Sequence, residues 1–445
     1  MFKTYSFHLF VILLLCTLLT GCATFSGEHM VPLNDVRHSD YRGALLYIEQ
    51  NKDLLYSSHD SVLYNLDTGV LRHFAGDYND STKNLSDAEK LIYTNYTKSV
   101  TQEISSFIVN DTMIDYPGED YEDIYSNLFM SLNYYHQNNL DDALVEINRF
   151  KNKVQAISSR HDQELVRSRQ AANEKNGAAA SIQFHNSALG QYLSLLYHRA
   201  TNDMDAANAD CHMIHDSFLT QGALYPFAEP RTVDEELSIP KEKGRLNILA
   251  FSGLAPVKIE NRVNFSYDYI FAVPVMVLQP STVGSISVTV AKDDGTVVAS
   301  ELLEQIESIE NIAVETFALR AQVLYNKAIA RCLIKGTTAV ATRAIGDELA
   351  NSKDDSTAAI GEMIRLFSVV SSVSNQITEQ ADLRTSKYFP ARADVCGITL
   401  DPGTYTVTVT FFAKNKSIIT QSVYHAVDVQ PQKLSLVEAD CVGTR

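Results

Sequence analysis

A chain of 445 residues, 45% apolar and 20% charged, has the make-up of folded globular protein and room for two to three domains. Its formal charge of −17 argues against nucleic acid as a ligand and against an electrostatic hold on anionic lipid. Past the first 21 residues no run of about 18 apolar residues occurs, so no transmembrane helix is expected.

The N-terminus has the three parts of an export signal. Lys3 supplies the positive region, and Phe10 to Leu19 is an apolar run too short to span a bilayer core, which needs about 20 residues. Leu19-Thr20-Gly21-Cys22 then matches the lipobox of bacterial lipoproteins. That resemblance implies cleavage before Cys22, a diacylglyceryl thioether on its sulfur and an N-acyl chain such as palmitate. Each buried CH₂ contributes about 0.8 kcal/mol, so two or three acyl chains give durable attachment. Ala23 stands where many inner-membrane lipoproteins carry Asp. The expected address is therefore the bacterial outer membrane, on its periplasmic face, with the cell surface as the other option.

Residues 22–38 are polar and turn-rich and read as a lipidated tether. From residue 39 a local pattern recurs. It is centred on Ser39-Asp40-Tyr41, Gly76-Asp77-Tyr78, Asn138-Asn139-Leu140 and Asn202-Asp203-Met204, each followed by Ala or Ser three residues further on. The chemistry is that of a helix–turn–helix corner. Gly or Asn takes the left-handed position that ends one helix. Asp or Asn caps the next. The last three copies lie 62 and 64 residues apart, near twice the tetratricopeptide period of about 34. Ile124, Leu128 and Leu132, then Ala143, Ile147 and Phe150, then Leu189, Tyr192, Leu193 and Leu196 recur at helical spacing around them. Residues 39–225 are thus expected to be a helical repeat array. Tyr134, Asn138, Ala143 and Ile147 fall at the spacing of tetratricopeptide repeats, which the segment resembles without the signature Trp.

Two stretches interrupt the array. The acidic run from Asp111 to Asp123 lacks the alternation of an EF-hand loop and reads as a solvated loop. Val154 to Ala180 reads as a long exposed helix or connector. Pro226, Pro230 and Pro240 then mark a linker over 226–243.

The period changes after that. Arg245–Ser252 predicts a mostly buried strand, and Val257–Glu260, Ile270–Val277, Gly284–Ala291 and Thr296–Ser300 predict further strands. Asp293-Asp294-Gly295 is a hairpin turn. Residues 301–381 read as a long α-helical hairpin, with Val314, Phe317, Ala321 and Leu324 on one face, a loop at 351–355 and a return helix over 360–381. A β-meander is expected over 388–439. The whole reads as an α+β multidomain chain: signal peptide 1–21, tether 22–38, all-α array 39–225, linker 226–243, and an α/β domain 244–445 with strands over 245–300.

Arg245-Leu246-Asn247-Ile248, Gly253-Leu254-Ala255-Pro256-Val257-Lys258, Lys327 to Arg331, Ala381 to Pro390 and Leu400-Asp401-Pro402-Gly403-Thr404-Tyr405, in that order, resemble an uncharacterised family of bacterial lipoproteins with a tetratricopeptide-like N-terminal half. The family usually has Asp-x-Arg-x-Trp before a Leu-Pro; here Ser386 stands at the Trp position and Tyr388-Phe389-Pro390 follows. The resemblance implies a periplasmic or surface lipoprotein and no established activity.

Chemistry is sparse. Cys211 and His215, i and i+4 on an expected helix, are able to share one metal but need further partners; a packed Cys beside two surface histidines is the plainer reading, so no metal or cofactor is assigned. Four cysteines remain beyond Cys16 and Cys22, giving three full pairings; Cys396 and Cys441 bracket the expected meander and are the favoured disulfide. Asp382 and Arg384 are expected to form a structural ion pair. No Gly-x-Ser-x-Gly, His-Glu-x-x-His or phosphate-binding Gly loop occurs. The function expected is a membrane-anchored adaptor that binds a protein partner without catalysis. A regulator of envelope assembly or of a cell-wall synthase is the alternative, and a hydrolase of envelope polymers the remoter one.

Overall fold

The structure is a computed structural model, and it describes residues 29–101, 113–160, 165–166, 183–266, 269–336 and 381–443. The signal peptide, Cys22, the 351–355 loop and nearly all of the return helix expected at 360–381 lie outside the described residues.

The chain is mixed α and β, with eleven helices and ten strands among the described residues. Helices come first: α1 (Met30–Arg37), α2 (Tyr41–Gln50), α3 (Lys52–Leu55), α4 (Ser61–Phe74), α5 (Tyr78–Thr101), α6 (Asp120–His136), α7 (Leu140–Arg160), α8 (Ala188–Ala200) and α9 (Met204–Thr220). Apart from short α3 they form four antiparallel hairpins, α1–α2, α4–α5, α6–α7 and α8–α9, each packing on the next. The four corners fall at the four copies of the sequence pattern. Ser39, Gly76, Asn138 and Asn202 all have positive φ, between 57° and 79°. The amides of Asp40, Asp77, Asn139 and Asp203 each reach back five residues to a carbonyl, at 2.8–2.9 Å, and so close the preceding helix. Asp40 and Asp203 then cap the next helix through the amides of Gly43 and Ala206.

Part of the expected tether is folded: residues 30–37 form α1, which buries Pro32 and Val36. The segment 226–243 carries a short helix, α10 (Thr232–Glu235), and buries Thr232, Val233 and Glu236, so it is a packed crossing rather than a solvated linker.

The strands are β1 (Gly244–Leu254), β2 (Val257–Ser266), β3 (Tyr269–Val277), β4 (Val283–Ala291), β5 (Val297–Leu302), β6 (Glu304–Ser308), β7 (Pro390–Leu400), β8 (Gly403–Ala413), β9 (Ile418–Val429) and β10 (Leu434–Cys441), with α11 (Ile309–Gly336) between β6 and β7. One sheet has the order β10-β1-β7-β6, a second β5-β4-β8-β9, and β2 pairs with β3 alone. β1 runs parallel to β10 and antiparallel to β7. Three corrections follow. The stretch at 304–308 is a strand, so the helix begins at Ile309. In α11 the buried face holds Ile312, Ala313, Thr316, Phe317, Val323 and Leu324, while Val314 is turned outward. The C-terminal strands occur where expected but do not form one meander: β7 and β10 join β1, and only β8 and β9 pair as a hairpin in the second sheet.

All eleven residues of β1 are buried because both faces are covered. Leu246, Ile248 and Ala250 pack against Ile286, Val288, Val407, Val409 and Phe411 of the second sheet. The alternate residues Leu249 and Phe251 pack into the helices. Phe251 lies 5.3 Å from Phe129 of α6, ring to ring, and Phe129 lies 5.9 Å from Phe389. The layers are therefore helical array, sheet, sheet, and one apolar cluster runs from Val36 to Val442 across the first two.

Candidate functional site

A groove of about 460 Å³ opens between α5, α6 and α7, lined by Glu89, Lys90, Tyr93, Asp123, Arg149, Asn152, Lys153 and Arg160. Its floor is charge-paired. Lys153 holds Asp123 at 2.6 Å and Glu89 at 2.8 Å, and Arg160 holds Asp123 at 2.9 Å and Asp120 at 3.2 Å. The Arg160 guanidinium also lies over the Tyr96 ring at 5.1 Å. Burial works against the Glu89 carboxylate, but Lys153 more than offsets it and holds its pKa below the ordinary value. The rim is different: Tyr93 is 72% exposed, and Lys90 and Arg149 point outward with only exposed partners or shared ones. The rim thus places an exposed aromatic ring between two cations.

The acidic stretch before and into α6 is expected to be solvated, and Asp115 is exposed, but from Glu119 on the reverse holds. Glu119, Asp120, Glu122 and Asp123 are all buried. Their partners come from far along the chain. Glu119 pairs with Lys258 of β2 and, at 3.3 Å, with Arg320 of α11. Glu122 accepts from Tyr116 Oη at 2.8 Å, Thr385 Oγ1 at 3.1 Å and the Ser386 amide at 2.6 Å. Burial, with the Glu119 charge beside it, pushes Glu122 up to about 7.

Asp382 and Arg384 do pair. The guanidinium is bidentate to Asp382 at 2.9 Å, and it also reaches Asp60 Oδ1 at 3.1 Å and the Ile114 carbonyl at 3.0 Å. Together with Ser386, which donates to the buried Asp67 at 2.6 Å, the pair fastens segment 381–388 to the helical array. These contacts lock the segment to the helices.

Two further polar seams join array to sheet. His73 of α4 is fully buried; its Nδ1 faces Asn133 Oδ1 at 2.7 Å and its Nε2 faces Glu438 of β10 at 2.6 Å. His136 reaches the other oxygen of Glu438 at 2.8 Å. Burial opposes the charged forms, but the mutual attraction outweighs it, so that His73 is raised and Glu438 lowered. Glu307 of β6 accepts from Tyr125, Ser187, Tyr225 and the Leu189 amide at the start of α8, at 2.6–3.1 Å.

Ser194, His198 and Asp210 come together without the geometry of a proton relay. Asp210 Oδ2 (2.7 Å) and Ser194 Oγ (3.4 Å) both meet His198 Nδ1, whereas a relay needs one on each ring nitrogen. Lys151 donates to the same Ser194 Oγ at 3.0 Å and to the other oxygen of Asp210, Oδ1, at 3.2 Å.

Cys211 and His215 lie on one face of α9, with Sγ 3.5 Å from Nε2. Asp234 Oδ1 is 3.3 Å from the same Nε2, and Glu229 Oε1 is 2.6 Å from Nδ1. Burial, with the charges of Asp234 and Glu229, pushes the Cys211 thiol up to about 11. Sequence reasoning found the two helical residues by their spacing; nothing local signalled Asp234 or Glu229, which the crossing segment brings in.

The expected Cys396–Cys441 disulfide is not formed. β1 separates the two strands, with Cys396 opposite Ile248 and Cys441 opposite Ser252. Two strand spacings of about 4.8 Å already exceed the Cα separation of about 7 Å that a disulfide tolerates. No helix among the described residues is long and apolar enough to cross a membrane. Compared with protein-family models, with curated proteins and with solved structures, the chain matches none.

Proposed function

We propose that this chain is a bacterial lipoprotein, anchored through Cys22 in the outer membrane, whose tetratricopeptide-like array binds a protein partner without doing chemistry on it. The observation that carries the reading is the groove between α5, α6 and α7, with a charge-paired floor and a rim of Tyr93, Lys90 and Arg149. Stacked helical hairpins create extended binding surfaces of this kind. The rim suits a partner segment that brings an apolar side chain for Tyr93 and acidic groups for the two cations. Confinement to a membrane raises the effective concentration of both binders, so a modest contact suffices.

The paired variant Tyr93→Ala with Arg149→Glu tests this, since both side chains are largely exposed and outside the core. Stoichiometric capture of a partner by the wild type after mild crosslinking, lost in the folded variant, is the expected result. The anchor is tested separately: Cys22→Ser is expected to release the protein into the soluble fraction, and membrane retention would refute lipid attachment.

A further inference from the structure

Away from the groove, one cluster has the composition and spacing of a cation site. Cys211 and His215, one turn apart on α9, direct their side chains to the same face. Asp234, from α10, meets them from the other side, and the three ligand atoms all lie within 4.8 Å of one another. A tetrahedral Zn²⁺ has bonds of about 2.3 Å to sulfur and about 2.0–2.1 Å to nitrogen and oxygen, which sets sulfur and nitrogen about 3.5 Å apart and nitrogen and oxygen about 3.3 Å apart. The Cys211 Sγ to His215 Nε2 distance is 3.5 Å, and His215 Nε2 to Asp234 Oδ1 is 3.3 Å. Glu229 completes the pattern: at 2.6 Å from Nδ1 it holds that nitrogen as the N–H donor and leaves the Nε2 lone pair for a metal.

We infer that Cys211, His215 and Asp234 form a three-ligand site for a Zn²⁺-class cation, with Glu229 orienting His215 and the fourth position open. A thiolate, an imidazole and a carboxylate select a borderline cation over Mg²⁺ or Ca²⁺, which take oxygen ligands. Binding breaks the Cys211 S–H bond and forms a metal–sulfur bond; the proton goes to solvent and no electron is transferred. The Asp234 side chain is 79% exposed, so the open position faces outward, where water or a ligand atom of a partner can fill it. The cation ties α9 to the crossing segment, which Glu236 in turn ties to Arg245 of β1 at 3.0 Å. The site stands independently of the groove.

The test takes the full-length protein in detergent, strips it with a chelator and titrates it with Co²⁺, followed by Zn²⁺ as competitor. The expected result is one Co²⁺ per chain, with a thiolate-to-cobalt charge-transfer band that Zn²⁺ abolishes. Cys211→Ser should remove the band, and Glu229→Gln should weaken binding about 10- to 100-fold while leaving all three ligands in place. His212→Ala, on the same helix but outside the site, should change nothing. Absence of Co²⁺ binding, or a band that survives Cys211→Ser, overturns the site. Should Cys211→Ser fail to fold, Glu229→Gln and Asp234→Asn decide the matter, and wild-type affinity in both overturns it equally.

Discussion

Arg384 shows how much one side chain carries. It neutralises Asp382 and Asp60, both buried, and lies over the Tyr116 ring at 5.3 Å. Arg384→Met leaves two carboxylates without their counter-charge, and breaking a buried pair in this way costs about 3–5 kcal/mol. Urea unfolding of the variant is expected to show a loss of that order, with partial recovery when Asp382→Leu is added. The buried acids also set a pH dependence. Burial raises Asp67, Asp394 and Asp440 to about 6 and Glu122 to about 7, so the folded chain takes up these protons more readily than the unfolded one. Stability therefore rises as pH falls from 8 towards 6. His73, raised by Glu438 against the pull of burial, acts in the same direction, because its contribution is complete below 6.5 and lost as pH climbs through the raised value. Other groups oppose at lower pH, among them Glu89 and Asp382, held below the ordinary carboxylate range against their burial by Lys153 and Arg384. Burial pushes His29 down to about 4, and Glu438, depressed by His73 against its burial, loses its contribution as pH falls below 4.5. A melting temperature higher at pH 6 than at pH 8, falling again below about pH 4, is expected from thermal scans.

At the scale of elements, the corners were legible because they are local. A left-handed residue, a cap and a small residue three positions later are all written within six residues, and each of the four positions the pattern marks has positive φ. Each non-glycine residue there bears a conformational cost, so Asn202→Gly should stabilise by about 0.5–1 kcal/mol and Asn202→Val should destabilise by more, both read from denaturant midpoints. Strand pairing was not legible. The alternation in β7 and β10 gives strands but not partners, and taking neighbours in sequence as neighbours in space produced both the meander and the Cys396–Cys441 bridge. The acidic run was misread for a related reason: Lys258, Arg320 and Arg160, which make its burial affordable, are 37 to 202 residues distant. Asp234 and Glu229 were missed likewise, since only the crossing segment brings them to Cys211 and His215.

In the whole molecule, array and first sheet share one apolar cluster, with Phe129, Phe251 and Phe389 at the junction. Such continuity predicts one cooperative unfolding transition, with far-ultraviolet and tyrosine signals coincident, and Phe251→Ala should lower stability by about 3–5 kcal/mol in both. It also fixes the array against the sandwich, so that the groove is a rigid surface. The central claim is that this groove holds a protein partner at the membrane. A photo-crosslinking amino acid placed at Tyr93 in the membrane-bound protein tests it most directly, with Val297, exposed on β5 of the second sheet, as the control position. A discrete adduct with one protein from Tyr93, none from Val297, and its loss when Arg149→Glu is added is the predicted result. No adduct from Tyr93, or the same adduct from both positions, would contradict the account.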